Sequence, residues 1–211
     1  MRFIGLDLSG VEKRPSGFCV LNKNLEAKTF LVYKDEEILY WIGVFKPKIV
    51  SIDAPLALPK NRCCLKDSCS CKSKGHLREC DKKLLEMGIK FFPLTLGPMR
   101  SLTLRGLKLK SLIEEKGFKA IETYPGAAQD LLGIPRKKLG IEPLRSALIK
   151  LGIKGDIIKK EISDHELDAI TCALTGKMYF EGEYLALGDP KEILMILPKP
   201  KRKNIKQRFN I

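Results

Sequence analysis

The 211-residue chain has no uninterrupted apolar stretch near the roughly 20 residues that cross a bilayer, so a membrane-spanning protein is not expected. Its start also lacks the basic stretch, apolar middle and small-residue cleavage site of a secretion signal, which predicts a cytoplasmic protein. Aromatic residues make up only 7% of the chain. The three nearest the basic segments are Phe91, Phe92 and Tyr124, and the first two are expected in the core, so a stacking platform for single strands is not expected. No internal repeat is present. Acids are scarce relative to bases, with 25 Asp and Glu against 39 Lys and Arg and a net charge of +14. That imbalance favours a polyanionic partner, nucleic acid foremost. A Lys-rich thermophile surface is the competing account.

What is there reads as one α/β domain over residues 1–198, followed by a basic tail at 199–211 that Pro198 and Pro200 keep from regular structure. The first third reads as a meander of strands at 2–8, 17–21 and 27–33, with Asn22-Lys23-Asn24 as a hairpin turn. Ile38, Leu39, Trp41, Ile42 and Phe45 then give a crossover helix, ended by Lys46-Pro47 before a strand at 48–53. Residues about 60–80 begin with clustered Cys, Lys and Ser and form a surface insertion. Helices are expected at 77–87, from Gly97 to about Lys116, at 142–151 and from Ser163 to about Phe180, with a further strand at 118–125. Short apolar runs at 185–187 and 193–197 are strand-like.

Two apolar runs each end on an acid: Phe3-Ile4-Gly5-Leu6-Asp7 and Ile49-Val50-Ser51-Ile52-Asp53. Buried parallel or mixed sheets write inner strands in this way, so Asp7 and Asp53 fall on one sheet edge, where open sheets place their binding crevice. Glu122 ends a third strand. In Ser163-Asp164-His165-Glu166-Leu167-Asp168, residues 164 and 168 share one helical face. Ser163 with Glu166 matches a capping box, which gives Asp164 a purely structural role as an alternative. Asp168 lies beyond the first turn and escapes that account. Like charges so placed repel, and a divalent cation would offset the repulsion. Oxygen donors of this kind predict Mg²⁺ or Mn²⁺ held by Asp7, Asp53 and Asp168, with Asp164, Glu122 and His165 as supporting catalytic residues. The chemistry such a cluster performs is phosphodiester cleavage.

Arg78, Arg100, Arg105, Lys108 and Lys110 fall between the fourth and fifth strands and are the candidate phosphate contacts, against the alternative of a solvated helix face. Cys63, Cys64, Cys69, Cys71, His76 and Cys80 crowd the insertion. Their spacing lacks the paired C-x-x-C of a ribbon or knuckle, which weighs against zinc and leaves disulfides or free thiols as the favoured readings.

Taken in order, Gly5-Leu6-Asp7-Leu8-Ser9-Gly10, Ser51-Ile52-Asp53-Ala54-Pro55-Leu56, Arg78-Glu79-Cys80-Asp81, Glu122-Thr123-Tyr124-Pro125 and Asp164-His165-Glu166-Leu167-Asp168-Ala169 span nearly the whole chain. They resemble the motifs of the domain-of-unknown-function 429 family, described as predicted nucleases of ribonuclease H-like fold related to Holliday-junction resolvases. The resemblance implies a five-stranded mixed sheet, its first three strands antiparallel, flanked by helices. It also implies metal at Asp7, Asp53 and Asp168, and a His-x-x-Asp arrangement at His165 and Asp168. A resolvase would act as a homodimer. Two other classes compete. An ATP-handling protein of the actin and sugar-kinase group needs a second Asp-x-Gly phosphate turn, which the sequence lacks. A non-catalytic nucleic-acid-binding protein would have no use for three retained acids.

Overall fold

The computed structural model describes residues 1–159 and 161–200; the expected basic tail therefore lies, from residue 201 onward, outside the described residues. Strands β1 (Arg2–Asp7), β2 (Ser16–Asn22) and β3 (Glu26–Val32) form the antiparallel meander. Helix α1 (Asp35–Phe45) crosses over to β4 (Ile49–Asp53), which pairs parallel to β1. Helices α2 (Glu79–Glu86) and α3 (Gly97–Glu115) then lead to β5 (Ala120–Thr123), parallel to β4. After it come α4 (Pro125–Leu132), α5 (Ile141–Lys150), β6 (Lys154–Gly155), α6 (Asp156–Lys159) and α7 (Asp164–Phe180). A closing hairpin of β7 (Tyr184–Asp189) and β8 (Ile193–Pro198) ends the described chain.

The sheet is larger than the five strands expected. Among the described residues it has eight, in the order β6-β3-β2-β1-β4-β5-β8-β7. The central five are the expected ones. The closing hairpin joins through β8, which runs parallel to β5, and so covers what would be an open edge. The two-residue β6 attaches to β3 at the other edge and is too short to leave a pattern in the sequence.

Alternation along the strands divides the core in two. Ile4, Leu6, Val50 and Ile52 face α1 and α3, burying themselves with Ile38, Ile42, Leu109 and Ile113. The opposite face carries Gly5, Asp7, Ser51 and Asp53 and receives α7. That helix sits so low on the sheet that a side chain is excluded at Gly5 and at Gly17. A Cβ on Gly5 would stand 1.9 Å from the Ala169 carbonyl oxygen and 2.3 Å from the Ala173 nitrogen, and one on Gly17 2.0 Å from the His165 oxygen. Close seating is what brings acids of the helix to acids of the strands. Gly5→Ala is therefore expected to destabilise the fold by about 3 kcal/mol, at the upper end of overpacking costs. Gly43→Ala on α1, where a Cβ would meet nothing within 4 Å, should be neutral or stabilise by up to ~1 kcal/mol. Urea unfolding of the two variants checks this pair.

Candidate functional site

Asp7 and Asp53 are direct neighbours in the parallel β1–β4 register, so both carboxylates leave the same face of the sheet. The start of α7 meets them there. Its N-terminus is fixed by the expected capping box: the Ser163 hydroxyl accepts from the Glu166 amide at 3.2 Å, and Glu166 accepts from the Ser163 amide at 3.0 Å. This anchors His165 with its Nδ1 2.7 Å from Asp7 Oδ2. One turn further on, Asp168 is buried, and its Oδ1 accepts from Gln129 Nε2 of α4 at 2.7 Å.

The sequence reading did not single out the group at the centre of this cluster. Lys137, on a short 3₁₀ turn between α4 and α5, places Nζ 2.8 Å from Asp168, 3.6 Å from Asp164 and 4.0 Å from Asp7. Its own charge is held firmly: burial opposes ionisation, but the facing carboxylates of Asp7 and Asp168 push its pKa up. The acids remain crowded nonetheless. Burial, then the charges of Asp7 and Asp168, push the Asp53 carboxyl well above the usual carboxylate range. Burial and Asp7 raise Asp168 as well, against the opposing pull of Lys137.

His165 is raised above its ordinary value, chiefly by its hydrogen bond to Asp7 and despite some burial. A group raised on folding favours the folded state below its unfolded pKa, about 6.5 for histidine, and that contribution disappears as pH rises through the folded value. In the presence of a chelator, an NMR titration should find His165 protonated to higher pH than a free histidine. Asp7→Asn should return it toward the ordinary value, and an unchanged titration would mean that the contact is absent in solution.

Glu122 is not part of this cluster. Register explains why: Asp53 pairs with Thr123, whereas Glu122 pairs with Ile52 and shares its opposite face. There Glu122 accepts from Arg78 Nη1 at 2.7 Å and from the Leu56 amide at 2.7 Å. The basic candidates also separate. Arg78, 2% exposed, gives its other donors to Asp81. Arg105 is buried and bonds Asp35, Ser9 and the Tyr33 carbonyl. Arg100 forms a two-pronged pair with Asp67 of the insertion. Lys108 is exposed beside Asp35, and Lys110 pairs with Glu114 on the α3 surface. Between Asp53 and the Arg78 network lies a largely apolar cavity of about 200 Å³, walled by Phe91, Met99, Leu102 and Tyr124. Phe92 at its rim is not a core residue but 73% exposed.

The expectation of Mg²⁺ or Mn²⁺ as the cofactor, with zinc disfavoured, requires correction. The repulsion that called for a cation is already met in part by Lys137 and His165. The potential metal-binding cluster found among the described residues is made of sulfur instead: Cys63, Cys64, Cys69 and Cys71 bring their Sγ atoms within 4.8 Å of one another. Thiolates of this number suit a zinc-type ion. Cys80 stands apart, fully buried against Leu84, Leu187 and Met195. Spacing misled because the path of the loop, not a C-x-x-C turn, brings the four together.

No protein-family model and no curated protein matches the chain. Solved structures do. A Thermus thermophilus RuvC in complex with a Holliday junction substrate superposes with a TM-score of 0.51 at 14% identity, over 92% of this chain and 100% of that one. A second Thermus thermophilus RuvC structure gives 0.47 at 15% identity, with the same coverage. The first likeness shows the fold alone, an α/β ribonuclease H-like architecture. No helix among the described residues is long and apolar enough to cross a membrane.

Proposed function

We propose that this protein is a hydrolase of nucleic-acid phosphodiester bonds, acting at Asp7, Asp53, Asp164, Asp168 and His165. One observation carries the reading: acids from β1, β4 and α7, distant in sequence, converge on one face of a ribonuclease H-like sheet, with Asp53 and Asp168 driven toward protonation by the crowding. Perturbed acids of this kind cluster at functional sites. The ordered motifs resemble those of the domain-of-unknown-function 429 family of predicted nucleases, and the net charge of +14 supports nucleic acid as the partner.

Within this reading the chain's own groups divide the work. Asp7 fixes the His165 ring so that its outer nitrogen can take up or return a proton. Gln129 and Lys137 fix the two oxygens of Asp168, and Lys137 also presents positive charge to an arriving phosphate. The apolar cavity beside Asp53 gives a nucleotide's uncharged face a place to rest.

Labelled four-way junction, duplex, single-stranded and RNA–DNA hybrid substrates, incubated with the full chain as purified, test the reading. Cleavage of at least one is expected. Tight binding to the panel without cleavage would overturn it. A resolvase requires two copies to cut symmetrically, so a dimer by light scattering accompanies preferential cleavage of the junction.

A further inference from the structure

The stretch from Ala54 to Cys69 contains no helix or strand, an unusual length of irregular chain inside a compact fold. Yet it is not loosely held. Leu65 is 4% exposed, and Arg62, 8% exposed, donates to the carbonyl oxygens of Cys64 and Gly75, clasping the two ends of the insertion. Only Asp67 among residues 60–78 is acidic, and Arg100 of α3 engages it. The buried Arg62 guanidinium therefore has two carbonyl partners, and the carboxylate that feels its charge, Asp67, is ion-paired with Arg100 instead. Burying a cation in this way is costly unless a counter-charge lies close by.

We propose that Cys63, Cys64, Cys69 and Cys71 are the complete ligand set of one structural zinc ion. The distances carry the assignment. Four thiolates at about 2.3 Å from zinc, at the corners of a tetrahedron, stand ~3.8 Å from one another. Here the sulfurs of Cys63 and Cys69 are 3.6 Å apart, and those of Cys64 and Cys71 3.8 Å. A disulfide would bring a pair to ~2.0 Å. The charge agrees with the geometry: four thiolates around Zn²⁺ carry two net negative charges, a counter-charge for Arg62 beyond the single Asp67 that it shares with Arg100. Lys66 and Lys72, beside the ligands in sequence, bring further positive charge that the same cluster would offset.

Four protein ligands leave no open position on the ion, so this site holds the fold and does no chemistry. What it holds is the insertion, and through Asp67 the outer face of α3. The inference is independent of the proposed hydrolase, since it involves none of the acids.

Metal analysis and X-ray absorption on the full chain, purified reduced and without chelators, test it. One zinc per chain with four sulfur neighbours at about 2.3 Å is the expected result. Cys63→Ser and Cys69→Ser should each lower retained zinc at least about tenfold after dialysis, while Cys80→Ala retains it in full. A metal-free chain with free thiols, a mass lowered by two disulfides, or zinc with fewer than four sulfurs would each overturn the proposal. The absorption spectrum of the unmodified chain decides the matter even where a cysteine variant fails to fold.

Discussion

Arg78→Met is expected to cost about 3–5 kcal/mol of stability, the penalty for leaving buried charges without their partner. Arg78 is the largest of the fully buried side chains, and all its guanidinium nitrogens are engaged: Nε and Nη2 with Asp81, at 3.0 and 2.8 Å, and Nη1 with Glu122, at 2.7 Å. Methionine fills much of the same space, so the loss comes from two stranded carboxylates and not from a cavity. Combining Arg78→Met with Glu122→Gln should recover part of the deficit, because one stranded charge is then removed. The damage reaches the acid site indirectly. Glu122 also accepts from the Leu56 amide and so fixes the strand exit just after Asp53. Urea denaturation of the single and double variants measures both effects. A loss under about 1 kcal/mol would mean that water reaches the network.

Asp168→Asn is expected to lower cleavage by about 10²–10⁴-fold, the range for removing a positioned charged group from a reaction centre. It should do so without destabilising the protein. Asp168 is raised by burial and by the charge of Asp7, so its ionised form is disfavoured in the folded state. For a raised group the stabilising contribution belongs below the unfolded pKa and is lost as pH increases, which leaves the ionised acid a burden at neutral pH. Asparagine keeps the shape and removes the burden, at the expense of the contact with Lys137. Unfolding temperature equal to or above that of the parent, together with lost cleavage, is the signature of a functional acid. A cleavage loss that merely tracks a loss of fold would assign Asp168 a structural role.

Much of this arrangement is legible in the sequence because it is local. Apolar runs ending on Asp7 and Asp53 announce buried strands, and the box of Ser163 with Glu166 fixes where α7 begins, hence the common face of Asp164 and Asp168. What depends on pairing between distant segments is not legible. A one-residue difference in register sends Glu122 to the opposite face of the sheet from Asp53, and nothing in Glu122-Thr123-Tyr124-Pro125 reveals it. Lys137 is one of 39 basic residues and lies on a turn without periodicity; its position depends on where α4 ends, at Gly133 in the left-handed conformation. Helix α4 itself leaves little trace, being short and built of small residues behind Pro125. The cysteine cluster is the same lesson in another form, since convergence in space replaced the expected spacing.

The most direct test compares the parent chain with Asp7→Asn on one labelled nucleic acid, measuring binding and cleavage on the same samples. Asp7 is the acid that touches His165, lies within reach of Lys137 and neighbours Asp53. The predicted result is unchanged binding and cleavage lost in the variant alone. Equal cleavage by both proteins, or binding by both with cleavage by neither, would contradict the account.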